Sequence, residues 1–329
     1  MLQAYPDLGD CEISADRLKQ EGLKGRSWID LQDPTPEEIA EVESVCGLRV
    51  PTRAELEEIE LSSRIRVESE ALYLSAPLLV RMENGGGSLT APTGFVLNPH
   101  VCLTVRFAAS AAFDNVKADL QTIERTTATD IFARLLEEVV DRSADRLEAS
   151  AGELNKASHA IFHGDAARTG KKNKLTQDTK LLRQVMTQIG RASEHMSTAR
   201  YTLVCIGRMA QFASERGKEW LGEDVIARLH SVRADAGSLE QYEENLLSRV
   251  QLLQDAATAF ISIEQNDVVK VLTIASVVGV PPVMVVGLYG MNFKYMPELS
   301  WTYGYPYAIA LIIVSTVIPL LWFKWKDWM

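Results

Sequence analysis

Residues 271–289, VLTIASVVGVPPVMVVGLY, and residues 305–323, YPYAIALIIVSTVIPLLWF, decide the fold. Neither run holds Asp, Glu, Lys, Arg or His. Each would reach about 28 Å as an α-helix at ~1.5 Å per residue, close to the ~30 Å hydrocarbon core of a bilayer. Two such runs near the end of the chain, separated by a short loop, predict a helical hairpin through a membrane. Lys270 precedes the first run and Lys324 and Lys326 follow the second, while the intervening loop holds Lys294 alone as a cation. That bias predicts both termini in the cytoplasm and the loop outside. Trp301, Tyr303 and Tyr305 at the loop and Trp322, Trp325 and Trp328 at the tail suit the two interfacial belts.

The two spans differ in character. The second is rich in Ile, Leu and Val, as expected of a lipid-facing helix. The first carries Thr273, Ser276, Gly279, Pro281, Pro282, Met284 and Gly287, small or mildly polar residues at near-helical spacing. Such a face can pack closely against a neighbouring helix or line a wet lumen. Two helices cannot enclose a pore, so a channel built from them must be an oligomer.

Upstream, residues 238–278 contain no internal Gly or Pro, and Leu239, Leu246, Leu253 and Phe260 recur every seven residues, with Val250 and Ala257 between them. This seam predicts a stalk helix running into the membrane, with the heptads as a means of assembly. Two further long helices are expected over 130–162 and 174–212. The first ~110 residues read as mixed α/β. Ser27–Leu31, Ala71–Arg81 and 94–107 alternate as strands, with turns at Gly85-Gly86-Gly87 and Asn98-Pro99. Thr35, Pro36 and Glu38 form a helix start with a capping box. The predicted organisation is an α/β domain (1–128), a helical hairpin (129–222), a stalk (223–270), a first span (271–292), a loop (293–304), a second span (305–323) and a tail (324–329).

Composition narrows the function. Before residue 271 the chain holds 31 Lys and Arg against 42 Asp and Glu, a formal charge of −11. It lacks the basic stripe that nucleic-acid binding needs, whereas acidic surfaces attract cations. Cys11, Cys46, Cys102 and Cys205 are far apart and form no CxxC pair, as expected of reduced thiols. The N-terminus has no apolar signal segment. His159 and His163 lie four apart with Asp165 nearby, a spacing that can hold zinc but lacks a third convincing ligand. Neither the surroundings of His195 nor Gly85-Gly86-Gly87-Ser88 makes a nucleophile site or a phosphate loop. No enzyme and no cofactor are expected.

The first span ends in Tyr289-Gly290-Met291-Asn292-Phe293, followed by Met296-Pro297-Glu298-Leu299. With Gln265-Asn266-Asp267-Val268-Val269-Lys270 at the stalk–membrane junction, this resembles the CorA family of magnesium channels, whose signature is a GMN tripeptide in this position. The resemblance implies a homopentameric funnel in the cell (inner) membrane, with Gly290, Met291 and Asn292 as the selectivity filter. It implies that Asn266, Val269, Leu272, Thr273, Ser276, Val280, Val283 and Gly287 line the pore, Val269 and Leu272 forming a constriction that gates by dewetting. Internal Mg²⁺ held by acidic residues would close the gate, with Asp224 and Asp235 as candidates.

The chemistry fits. Mg²⁺ keeps its waters tightly, so a fast site should take the hydrated ion through neutral oxygens such as the Asn292 amide. One residue departs from the family pattern, because Lys294 stands where an acid is common and lowers cation attraction at the mouth; Glu298 remains. Zn²⁺, Co²⁺ or Ni²⁺ transport, including proton-coupled zinc transport, is the alternative, although neither span carries a titratable Asp, Glu or His. A non-conducting membrane scaffold is the other.

Overall fold

The computed structural model describes residues 1–6, 26–58, 60, 64–81, 88–120, 126–163, 174–292, 296–326 and 328. The expected turn at Gly85-Gly86-Gly87, Asp165 beside the histidine pair, Cys11 and Lys294 lie outside them. The chain divides into two compact units, residues 1–169 with 183–254, and residues 170–182 with 255–329.

The first unit opens with β1 (Leu2–Pro6), β2 (Arg26–Gln32), helix α1 (Pro36–Cys46), α2 (Arg53–Glu57), β3 (Ile65–Glu68), β4 (Ala71–Arg81), β5 (Ser88–Leu97), β6 (Cys102–Arg106) and α3 (Ala111–Leu120). The strands form one sheet in the order β1-β2-β6-β5-β4-β3, antiparallel except for the β2–β6 pair. Period-2 alternation sends the side chains of β2 and β6 to two buried faces. Ile29, Leu31, Leu103 and Val105 join Val42 of α1 and Leu56 of α2 in one core. On the other face Trp28 and Phe95 meet Phe113 of α3, each at 6.1 Å, and Phe95 meets Phe132 edge-on at 6.0 Å.

That second face also buries charge. Asp30 receives Arg106 at 2.9 Å, Thr104 at 2.8 Å and Lys117 at 3.1 Å. The capping box at Thr35 is present, with the Glu38 amide on the Thr35 hydroxyl at 3.3 Å and the Thr35 amide on the Glu38 carboxylate at 2.9 Å. Gly47 ends α1 at φ 65°, a left-handed position where a side chain is disfavoured.

Three long helices follow: α4 (Ala128–His163), α5 (Lys174–Arg216) and α6 (Glu223–Tyr289). Within the first unit Arg228 and Arg249 of α6 bond Glu137 and Asn155 of α4, so these helices run parallel. Between α5 and α6, Arg200 bonds Glu243, and Gly207 leaves the Ala236 methyl within about 3.6 Å of where a Cβ would sit.

The seam of α6 is longer than the heptads predicted. Val225, Leu229, Val232, Ala236, Glu243, Leu246, Val250, Leu253 and Ala257 are all buried, in a three-four rhythm with one step of seven over half-buried Leu239. Part of the heptad seam is thus used within the chain: Leu246, Val250, Leu253 and Ala257 are buried, whereas Leu239 and Phe260 are only half-buried.

The second unit contains the membrane end of α6, a 3₁₀ turn (Pro297–Ser300) and α7 (Gly304–Trp325). Among the described residues α6 and α7 are the two helices long and apolar enough to cross a membrane, and their apolar segments lie almost wholly unburied. The fold is thus the expected one: an α/β domain, a long helix and two C-terminal membrane helices.

Candidate permeation site

The eight pore-lining candidates all fall on α6. At 100° per residue, Asn266, Val269, Leu272, Thr273, Ser276, Val280, Val283 and Gly287 lie within an arc of about 120°. The chain does not cover this arc: Leu272 is 66% and Val283 71% exposed. A helix surface so apolar and so bare in a single chain calls for lipid or for other copies of itself.

Polarity along the arc has a direction. The Thr273 hydroxyl donates to the Val269 carbonyl at 2.8 Å and the Ser276 hydroxyl to that of Leu272 at 2.9 Å. With their hydrogens committed, both oxygens offer only lone pairs outward. A hydrated cation presents water hydrogens at its surface, so these groups meet it as acceptors. Pro281 and Pro282 sit inside the helix and carry no N–H, which frees the carbonyls four residues earlier.

The helix ends at the tripeptide. The Gly290 amide still bonds the Val286 carbonyl at 2.9 Å, and the Met291 amide closes a shorter turn onto Leu288 at 3.4 Å. A Cβ on Gly290 would stand 3.0 Å from the Val286 oxygen, so the close turn favours glycine. Beyond it Met291 and Asn292 are exposed. Glu298 falls on the 3₁₀ turn. At the other end of the arc, Asp267 and Lys270 pair at 3.1 Å.

Aromatic rings flank the segment. Trp301 lies 6.4 Å from Tyr303 and 5.8 Å from Tyr307, and Lys326 sits over Trp322 at 5.1 Å. Phe323 is buried and stacks with Trp328 at 5.7 Å.

Of the two regulatory candidates, Asp224 stands in the first turn of α6, where it complements the helix N-terminus. Asp235 is brought electrostatically beside Asp141 of α4. Burial, together with Glu137, Asp145 and Asp235, holds the Asp141 carboxyl above its ordinary range. The α4 acids were missed in the sequence, although Glu137, Asp141 and Asp145 repeat every four residues and so share a helix face. Among the described residues no three His, Cys, Asp or Glu side chains are arranged to hold a metal.

The family model for CorA-like Mg²⁺ transporter proteins matches residues 24–325. The chain belongs to the CorA-like Mg²⁺ transporter family. Its relatives include the magnesium transport protein CorA of Haemophilus ducreyi, 28% identical over 96% of each chain. That of Pectobacterium atrosepticum is 29% identical over the full length of both. Among solved structures, the complete CorA magnesium transporter of Methanocaldococcus jannaschii matches 100% of this chain and 99% of its own with a TM-score of 0.74 at 16% identity, a likeness of fold. CorA-family proteins are membrane ion transporters and not enzymes.

Proposed function

We propose that this chain is the subunit of a homopentameric Mg²⁺ channel of the inner membrane, crossing it twice with both termini in the cytoplasm. The observation that carries the reading is the Gly290-Met291-Asn292 tripeptide at the C-terminal end of α6, beyond a bare arc that alternates apolar and acceptor groups. Copies of α6 packed around an axis would turn that arc inward. Asn292 would then form a neutral ring of amide oxygens for the hydrated ion, loose enough to release it. Val269 and Leu272 would form the apolar rings that dewet when closed, with Asn266, Thr273, Ser276, Val280, Val283 and Gly287 completing the lining.

The relatives named as magnesium transport proteins support Mg²⁺ as the ion. Control by internal Mg²⁺ would act through Asp224 and Asp235 near the start of the stalk, where a cation beside Asp235 would also relieve its repulsion of Asp141. Lys294 at the outer mouth would lower the attraction for cations and Glu298 restore part of it.

The test is ion flux in proteoliposomes with Mg²⁺ and Zn²⁺ side by side, with and without a pH gradient. Mg²⁺ uptake indifferent to the gradient is expected, and Asn292→Ala should abolish it with assembly intact. Zn²⁺ uptake driven by protons, or normal flux in Asn292→Ala, would overturn the reading.

A further inference from the structure

The apolar seam of α6 is interrupted once, by Glu243, whose side chain is wholly excluded from solvent. It stands where the rhythm between Leu239 and Leu246 calls for an apolar residue. Its Oε2 accepts from Arg200 Nη1 of α5 at 2.9 Å, and the same guanidinium reaches Glu244 Oε1, also at 2.9 Å. Oε1 of Glu243 is buried without a hydrogen-bond partner.

A buried carboxylate with half its acceptors unmet is costly, and one shared arginine compensates it only in part. The charges that act on it are few. Arg200 faces it from α5, and Glu244 and Glu240 repel it from its own helix. On α5, Glu194, His195, Tyr201 and Cys205 are the other titratable side chains within six residues of Arg200. The face that α4 buries at this level, Leu147, Ser150, Ala151 and Leu154, has no titratable group. Burial, with the two neighbouring acids, holds the Glu243 carboxyl above its usual range despite Arg200.

We propose that Glu243 and Arg200 form a proton-sensitive latch in the stalk seam. With Glu243 ionised, Arg200 is drawn onto α6 and the seam carries a partly unmet charge. A proton from solvent binds at Oε1, Arg200 keeps its bond to Glu244 as its remaining carboxylate partner, and the seam closes as a neutral interface. Because protons bind this carboxyl more readily in the folded chain, the seam tightens as pH falls through its raised pKa. α6 is continuous from this seam to Tyr289, so two packings of the seam are two states of the helix that bears the permeation arc.

The test uses the full chain in lipid nanodiscs. Infrared difference spectra on lowering pH should show a protonated-carboxyl band appearing above the pH of ordinary glutamates and absent in Glu243→Gln. Hydrogen exchange of the α5 and α6 amides around Arg200 and Glu243, corrected for intrinsic rates, should slow over the same pH range in the wild type. In Glu243→Gln it should be slow throughout. If that variant fails to assemble, Arg200→Met should move the band to higher pH. An unchanged band in Glu243→Gln, or exchange with the wild-type pH profile, would overturn the latch. These measurements stand apart from ion flux. The further expectation, that acid on the stalk side changes Mg²⁺ flux in the wild type and not in Glu243→Gln, rests on the channel reading and can fail with it alone.

Discussion

Arg228 of α6 holds Glu137 of α4 with two parallel hydrogen bonds, Nε to Oε1 at 2.7 Å and Nη2 to Oε2 at 2.6 Å. Its Nη1 lies 3.5 Å from Asp130, so one guanidinium spans two turns of α4. The pair fixes the register of two parallel helices at the end where α6 begins. Both side chains are partly solvated, which limits the worth of the contact to about 1 kcal/mol. Arg228→Lys keeps the charge and loses the fork. Thermal melting of the detergent-solubilised chain should fall slightly for Lys and further for Ala, and equal melting for Arg228→Ala and wild type would show that the fork adds nothing.

Asp30 presents a different balance, because it and Arg106 are almost fully buried. Its carboxylate receives Arg106 and Thr104 across the parallel β2–β6 pair and Lys117 from α3. Asp30→Asn preserves shape but leaves two cations facing a neutral amide in a site closed by Trp28 and Phe113. Removing one partner of such a network costs about 3–5 kcal/mol. We expect low yields of folded protein and a marked loss of melting temperature, with partial recovery in Asp30→Asn combined with Arg106→Met.

How far these features were legible follows from what each depends on. The Thr35 capping box, the strand Ala71–Arg81 and the two spans are local patterns, and the chain folds as they read. Strand β3 was not legible, because its turn into β4 places Ser69 and Glu70 at φ 49° and 65° without the Asn-Gly signal such turns usually carry. β1 was missed because five edge residues ending in Pro6 give too little alternation to register. The heptads were visible, but a seam does not name its partner: only the fold assigns part of it to neighbouring helices of the same chain. The tripeptide was legible as a motif, whereas the Asp235–Asp141 proximity joins residues almost a hundred positions apart.

Burial pushes the Cys102 thiol far above its ordinary range, with the Asp30 charge adding to the effect, and burial raises Cys46 and Cys205 as well. The reactive species is the thiolate. Thiol reagents at pH 8 should therefore leave Cys102 and Cys205 unmodified in the native chain and label both on denaturation. Cys46, only half-buried, should react slowly. Mass spectrometry of alkylated peptides checks this, and rapid native labelling of Cys102 would contradict the packing between β2 and β5.

The Asp141 carboxyl carries a cost that pH and cations should both relieve. Its pKa is raised by burial and by Glu137, Asp145 and Asp235, so protons bind it more readily in the folded chain than in the unfolded one. The sign follows: ionisation above the folded pKa destabilises the fold, and stability from this group returns as pH falls through that raised value toward the unfolded one. Asp141→Asn removes the repulsion and should raise the melting temperature at neutral pH while flattening its rise toward mild acid. If Asp235 and its α4 neighbours take the regulatory ion, millimolar Mg²⁺ should raise the wild-type melting temperature at pH 7 and do so less in Asp141→Asn and Asp235→Asn. Glu298 lies in the loop beyond the first span, so Glu298→Gln should leave that response intact. Equal Mg²⁺ stabilisation in the wild type and both Asp variants would place the internal ion elsewhere, while keeping the pH effect of Asp141 as a separate, measurable consequence of its burial and of the neighbouring acids.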